Sequence, residues 1–358
     1  MVGLKKALTG KNLASGWMYF YIHFAMEVLC FFCVRKQMGN SAFFWLFPFA
    51  YDILAFVPQS VIGYLNDRFP KFNAGLTGTV LMIIASVMFA AGGFPRYFVL
   101  VILCAGNALT HVGGAEVTIR SSNGRLSHPA VFVSGGAFGV ITGTMLAKTD
   151  MPYWPVILFM ISAIPFTLIA QKYRNAGESA QELCKAFNYA KKGVPASVIL
   201  LVSFIIVALR SYMGYCLPME WKTTSLHSVL LYVAMGTGKA VGGILADAYG
   251  VKRIALLSSI LSLPFILLGN KIMLVSLIGI MLFSMTMSIT LALNVSVLKS
   301  APGLAFGYTT AALTFGVIPI FFVKISSYAI NSVIVSALTV ICIAAMLATI
   351  GKDEKING

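Results

Sequence analysis

Gly63-Tyr64-Leu65-Asn66-Asp67 and Gly243-Ile244-Leu245-Ala246-Asp247 share the pattern Gly-x-Leu-x-Asp, 180 residues apart in a chain of 358. Each copy ends a long apolar segment and starts a short loop with basic residues. The copies therefore hold the same place in two halves of equal length, which is the sequence form of a duplicated unit.

Composition says what kind of unit is duplicated. The chain is 59% hydrophobic and only 10% charged, too little charge to cover a surface facing water, so most of its surroundings must be lipid. Apolar runs of about 20 residues are long enough to cross roughly 30 Å of hydrocarbon. Twelve such runs are present: 14–34, 42–65, 73–93, 96–119, 129–148 and 153–171 in the first half, then 196–217, 226–247, 251–269, 271–296, 303–323 and 327–350. The expected fold is an all-α membrane protein with twelve transmembrane helices in two pseudo-symmetric six-helix bundles. The first run is full length and lacks a small-residue cleavage site, so it is expected to stay as a span rather than leave as a signal.

The net charge of +15 is scattered singly through short loops, which points to a membrane rather than to nucleic acid. Seventeen of the 26 Lys and Arg fall on the side of the N-terminus; the other face carries Arg35, Lys36, Arg96, Lys148, Lys222, Lys271 and Lys324. Basic residues favour the cytosolic side, so both termini are expected there, in a bacterial inner (plasma) membrane. The long connection 172–195 separates bundles at 1–171 and 196–358. Ser179 and Glu182 fit a capping box, and Leu183, Phe187 and Ala190 follow at helical spacing, predicting a short amphipathic helix on the cytosolic face. The six cysteines imply no disulfide: Cys104 and Cys342 lie in spans, Cys184 in a cytosolic loop, and Cys30 and Cys33 one turn apart in the first span.

Segment 63–72 resembles the loop between helices two and three of the major facilitator superfamily, and 243–253 resembles its second-half counterpart. The resemblance covers essentially the whole chain. It implies a secondary transporter working by alternating access, with Asp67 and Asp247 facing the N-terminal end of a helix in the opposite half and holding the cytosolic side closed. Pro70 stands where the family has Gly, and Ala248 where it has Arg, so the closing interaction is expected to rest more on the first half. Gly106-Asn107-Ala108-Leu109-Thr110-His111-Val112-Gly113-Gly114 and Arg210-Ser211-Tyr212 are similar to segments of the fosmidomycin-resistance branch. Two marks of proton-coupled drug exporters are missing: Ile102 stands where they have Arg, and Val140 follows Gly139 where they have Pro.

Charges at mid-membrane cost about 2.5–3.5 kcal/mol each on insertion scales, so those present need a cavity or a partner. Glu27 and Asp52 lie in the first half, Arg210 and Lys239 in the second. Glu27 has His23 one turn away, a pair suited to taking up and releasing a proton, or else to a structural hydrogen bond. Arg210 and Lys239 are candidates for an anionic substrate group, with Asn107, His111 and Tyr212 beside them. Alternatively they pair with Glu27 or Asp52 across the halves. Glu116 and Arg120 share a helix face and are placed to join Asp67 and Arg68 in an inner gate, with Asp52 nearer the outer one.

The expected function is proton-coupled movement of a small organic anion or zwitterion. An efflux antiporter for amphipathic compounds is the alternative, and a non-transporting receptor would need a soluble domain that the sequence lacks. No Walker A sequence and no metal or nucleophile constellation is evident, so neither an enzyme nor a cofactor is expected. The partners implied are the bilayer, protons and a small solute, with the protein as a monomer.

Overall fold

The computed structural model describes residues 13–38, 44–69, 71–175, 187–323, 325 and 327–351. The start of the expected linker helix, at Ser179, Glu182 and Leu183, lies outside the described residues, as do Pro70, Cys184, Lys324, Lys185 and the terminal lysines Lys5, Lys6, Lys11, Lys352 and Lys355. Its expected end, 187–190, is not helical, and Ala190 bridges to Ile350 instead.

Among the described residues, twelve helices are long and apolar enough to cross a membrane. They are α1 (Leu13–Gln37), α2 (Leu46–Arg68), α3 (Ala74–Ala91), α4 (Arg96–Arg120), α5 (Ser127–Leu146) and α6 (Tyr153–Arg174) in the first half. The second half has α7 (Ala196–Cys216), α8 (Ser225–Tyr249), α9 (Val251–Leu268), α10 (Met273–Val297), α11 (Pro302–Phe321) and α12 (Tyr328–Thr349). The protein is an integral, multi-pass membrane protein. Helix starts follow the local sequence: the side chains of Asn73, Thr224 and Ser327 accept the backbone N–H of Leu76, His227 and Ile330. Gly250, with φ of 102°, makes the tight turn from α8 into α9 that a residue with a side chain would resist.

Three spans are broken, two of them at or beside a proline. In α2 the helix pauses at Val57–Pro58, where proline lacks an N–H, and the buried Gln59 amide donates to the Ala55 carbonyl at 2.9 Å. In α6 it pauses at Ser162–Ala163, just before Pro165. In α10 it pauses at Met285–Thr286 with no proline nearby.

The halves meet through two matching helix pairs. At Gly63 of α2 the backbone of Gly303 in α11 comes so close that no side chain would fit, and Gly307 meets the Gln59 carbonyl in the same way. On the other side of the pseudo-twofold axis, Gly243 of α8 packs on Ala130 and the Leu126 carbonyl beside α5. Within the first half, Gly135, Gly139 and Gly143 of α5 rest on the carbonyls of Phe20, Phe24 and Val28 in α1. Among the described residues the five cysteines are free and buried, as packing residues would be.

Candidate functional site

Asp67 ends α2, and its two carboxylate oxygens accept the backbone N–H groups of Gly303 and Leu304, both at 2.9 Å, at the start of α11. Asp247 ends α8, and its oxygens accept the N–H groups of Leu126 and Ser127 at 2.7 and 2.9 Å, at the start of α5. Each acid thus occupies the positive end of a helix from the other half, and each supplies two charge-assisted hydrogen bonds. The expectation of a lopsided contact is corrected by this geometry. The acceptors bind backbone donors, so the missing arginine at Ala248 does not matter.

Beside Asp67 lies a buried ionic knot. Glu116, fully buried in α4, pairs with Arg120 at 2.7 Å and with Arg174 at 2.9 Å, and accepts a short hydrogen bond from Asn66. Arg174 also donates to the carbonyls of Asn66 and Phe72. Arg68 is not part of this knot; it is exposed and stacks on Tyr64 at 4.6 Å. Tyr189, at the end of the linker, donates to the Gly124 carbonyl at 2.6 Å, and its N–H donates to Ser296, so this end of the molecule is tied at a further point.

Halfway along the bundle, three side chains of the first half converge. His23 Nε2 is 3.8 Å and His111 Nε2 3.5 Å from Glu27 Oε1, with all three groups buried. His23 Nδ1 donates to the Phe132 carbonyl at 2.9 Å. His111 Nδ1 faces the side-chain and main-chain oxygens of Asn107 at 2.9 and 3.2 Å. The Asn107 amide donates in turn to Glu27 Oε1 at 3.2 Å and to Tyr51 Oη at 3.0 Å. Lys239 reaches toward this cluster from α8 in the other half, close enough to interact electrostatically with Glu27, His23 and His111. Among the described residues no carboxylate lies within ion-pair distance of Lys239.

A cavity of about 760 Å³ occupies the end of the molecule opposite Asp67 and Asp247. Its walls come from the ends of α1 and α5 and the start of α8, and its charged lining is Arg35, Lys148 and Lys222. Partial burial pulls the Lys222 ammonium below its ordinary pKa, as expected of a cation short of an anionic partner. Phe31 in the cavity wall packs on Tyr51 at 5.7 Å, which links the cavity floor to the Asn107 network. Asp52 lies between them, near enough to Tyr215, Tyr232 and Glu27 to interact with each. Trp45, just before α2, and Phe49 within it meet Phe321 at the end of α11 and Phe322 just beyond it, and narrow this end.

No family model matches the chain, and no curated protein does. Solved structures do match, over nearly the full length of both partners. The human organic anion transporter MFSD10 (TETRAN) is 15% identical, covers 95% of this chain and 96% of its own, and superposes with a TM-score of 0.56. A variant of the E. coli fucose:proton symporter FucP is 13% identical over 95% and 97% of the two chains, with a TM-score of 0.61. FucP in the outward conformation is 12% identical over 95% and 98%, also at 0.61. The chain has the major facilitator fold.

Within that fold, two residues read as substrate ligands stand apart from the central cluster. Arg210 of α7 donates to the Phe283 carbonyl, lies 4.1 Å from the Phe283 ring, and adjoins Cys342 of α12. Phe283 lies two residues before the break in α10, and its carbonyl also takes the hydroxyl of Thr286 in that break at 3.4 Å, so the guanidinium joins a backbone acceptor where the helix is interrupted. Among the described residues Arg210 has no carboxylate within ion-pair distance. Tyr212 packs in the second half's own apolar cluster with Met213, Cys216 and Trp221. Sequence reading missed Asn66 and Arg174 around Glu116, and Tyr51 beside Asn107. Its place next to Asp52 in an apolar span was the one available signal for Tyr51.

Proposed function

We propose that the protein is a secondary active transporter that works by alternating access and is drawn here in an outward-facing state. The observation that carries this is the pair of equivalent clamps, Asp67 on α11 and Asp247 on α5, at one end, with the cavity at the other. Contacts made of helix ends and single carboxylates can be released and remade, whereas a continuous core cannot. The bundles 1–171 and 196–358, joined by 172–195, rock about the central site. The clamped end faces the cytosol, as the distribution of Lys and Arg favours, in a bacterial inner membrane.

The cargo is a small organic anion or zwitterion. Arg35, Lys148 and Lys222 line the cavity without an acid among the lining residues, and Lys239 adds a positive charge beside the central cluster. An organic anion transporter among the structural matches agrees with that class. Protons are the coupling ion, carried by Glu27 with His23. Two imidazole lone pairs and a carboxylate oxygen face one another there, and acceptors so close need a positive charge between them. A proton symporter shares the fold.

The test is proteoliposomes loaded with a pH-sensitive dye and offered mono- and dicarboxylates one at a time. One or more acids should move protons with the wild-type protein and none with Glu27→Gln, which keeps size and hydrogen bonding. Solute-driven proton movement unchanged by Glu27→Gln removes Glu27 as the coupling group. No acid-dependent flux with any member of the series removes the anion class.

A further inference from the structure

His23, Glu27 and His111 present more than a place for a proton. Their ligating atoms all lie within 4.8 Å of one another, and the set is two imidazole nitrogens and one carboxylate oxygen. We propose that these three side chains form a binding site for a divalent transition-metal ion of the zinc and cobalt kind, with an open coordination position on the side of Lys239.

The hydrogen bonds around the histidines decide their chemical form. A carbonyl oxygen only accepts, so His23 Nδ1, facing the Phe132 carbonyl, carries the proton. His111 Nδ1 faces two oxygens of Asn107 and carries its proton for the same reason. Each neutral ring therefore turns an Nε2 lone pair toward Glu27. A ring held through Nδ1–H on an oxygen is how metal-binding histidines are oriented and made more basic. Asn107 serves both sides of the site, accepting from His111 and donating to Glu27.

Glu27 supplies a second, independent sign. Its Oε2 is buried and has no hydrogen-bond partner, in a residue that is only 2% exposed. A proton on Glu27 can be shared with one imidazole at a time and leaves the other lone pair unsatisfied. A metal ion satisfies all three groups together. Metal–ligand bonds of about 2.0–2.2 Å place ligand atoms roughly 3.3–3.5 Å apart, so the two Glu27–histidine separations of 3.5 and 3.8 Å are already close to that, and the two imidazoles, within 4.8 Å, turn toward each other to complete the set. The nitrogen-rich set favours late first-row metals over calcium or magnesium, which prefer oxygen alone.

Three protein ligands leave a position open. Lys239 makes that side positive, and Arg35, Lys148 and Lys222 make the approach positive as well. The ion is therefore expected with an anionic ligand in the open position. This last clause rests on the anion class proposed above; binding of the ion itself does not.

The experiment is titration of the purified protein with Co²⁺, followed by ligand-field absorption, with Zn²⁺ displacement by calorimetry. The wild type should bind a single Co²⁺ with absorption bands of a nitrogen–oxygen site, and Zn²⁺ should abolish them. His111→Asn, His23→Asn and Glu27→Gln should each weaken binding by more than tenfold, and Asn107→Ala by about 10- to 100-fold through the loosened imidazole. Lys239→Gln should tighten it, because a neighbouring positive charge is removed. Gel filtration and melting curves on each variant select the folded ones for comparison. Binding that is absent, or unchanged in folded His111→Asn and His23→Asn, overturns the site. Acetate separates the two claims: it should alter the bands in the wild type and not in Lys239→Gln. Bands indifferent to acetate overturn the anionic ligand and leave the metal site standing.

Discussion

Replacing Asp67 by Asn removes one negative charge from the start of α11 and keeps the side chain's size. In the structure each oxygen of Asp67 takes one backbone N–H, from Gly303 and from Leu304. Asn has one acceptor, so one N–H is left facing an amide donor, and the surviving bond is no longer charge-assisted. Charge-assisted bonds contribute about 1.5–3 kcal/mol each and neutral ones about 1. With the lost attraction to the helix end, the net cost is about 2–4 kcal/mol. All of it falls on the clamped state, because the contact exists only there. At about 1.4 kcal/mol per tenfold, the balance between clamped and open states should move roughly 30- to several-hundred-fold toward opening at this end. Tyr64 and Tyr249 are 41% and 53% exposed on either side of that end and tolerate spin labels after substitution by cysteine. Double electron–electron resonance between them should show a new, longer distance in Asp67→Asn. Because Asp247 makes the same two bonds, Asp247→Asn should shift the distribution by a similar amount. An unchanged distribution in both variants would refute the clamp, and a shift in only one would refute its symmetry.

Two further outcomes follow from the buried charges. Glu116→Gln should lower stability by about 3–5 kcal/mol, read as a large fall in melting temperature, because it strands two buried guanidinium groups; an unchanged melting curve would place that pair in solvent. Arg210→Gln should lower the melting temperature and spare binding of the acid found in liposomes, while Lys239→Gln should keep stability and weaken that binding by about 1.5–3 kcal/mol; the opposite pattern would exchange their roles.

The spans were legible because roughly twenty apolar residues in a row have few alternatives to crossing a bilayer. The clamps were legible for a different reason: an acid at a fixed place in both halves needs only a helix end to meet, and every span has one. Arg174 was not legible. In sequence it is one more basic residue at the edge of the linker, and only the rotation of α6 turns it inward onto Glu116. Arg210 looked like a partner for an anion or an acid, yet it donates to the Phe283 carbonyl beside a break in α10 that no proline announces. The glycines around His111 read as a subfamily mark, and each has a packing cause. Gly106 and Gly113 touch the backbone of Gly78 and Gly75 in α3, and Gly114 touches Tyr19 and Phe132.

The clamps and the central cluster are mechanically one device, because the two clamped helices also carry the histidines' neighbours. Asp67 holds Gly303 and Leu304, and within the same turn of α11 Phe306 stacks on His111 at 6.1 Å and packs on Phe132 at 5.9 Å. Asp247 holds Leu126 and Ser127, and a turn later in α5 Phe132 offers its carbonyl to His23. Swinging the start of α11 away from Asp67 must therefore take the Phe306 ring off His111. Parting α5 from Asp247 leaves the Phe132 carbonyl on His23, because α1 and α5 move together in the first bundle. A cation bound among His23, Glu27 and His111 needs the His111 ring held as it is, so it favours the state in which Phe306 stays stacked and the Asp67 clamp is closed. Its departure removes that preference and leaves the clamps to compete only with the opposite gate of Trp45, Phe49, Phe321 and Phe322. Linkage of this kind works in both directions: the factor by which the cation favours the closed Asp67 clamp is the factor by which closing that clamp tightens the cation site.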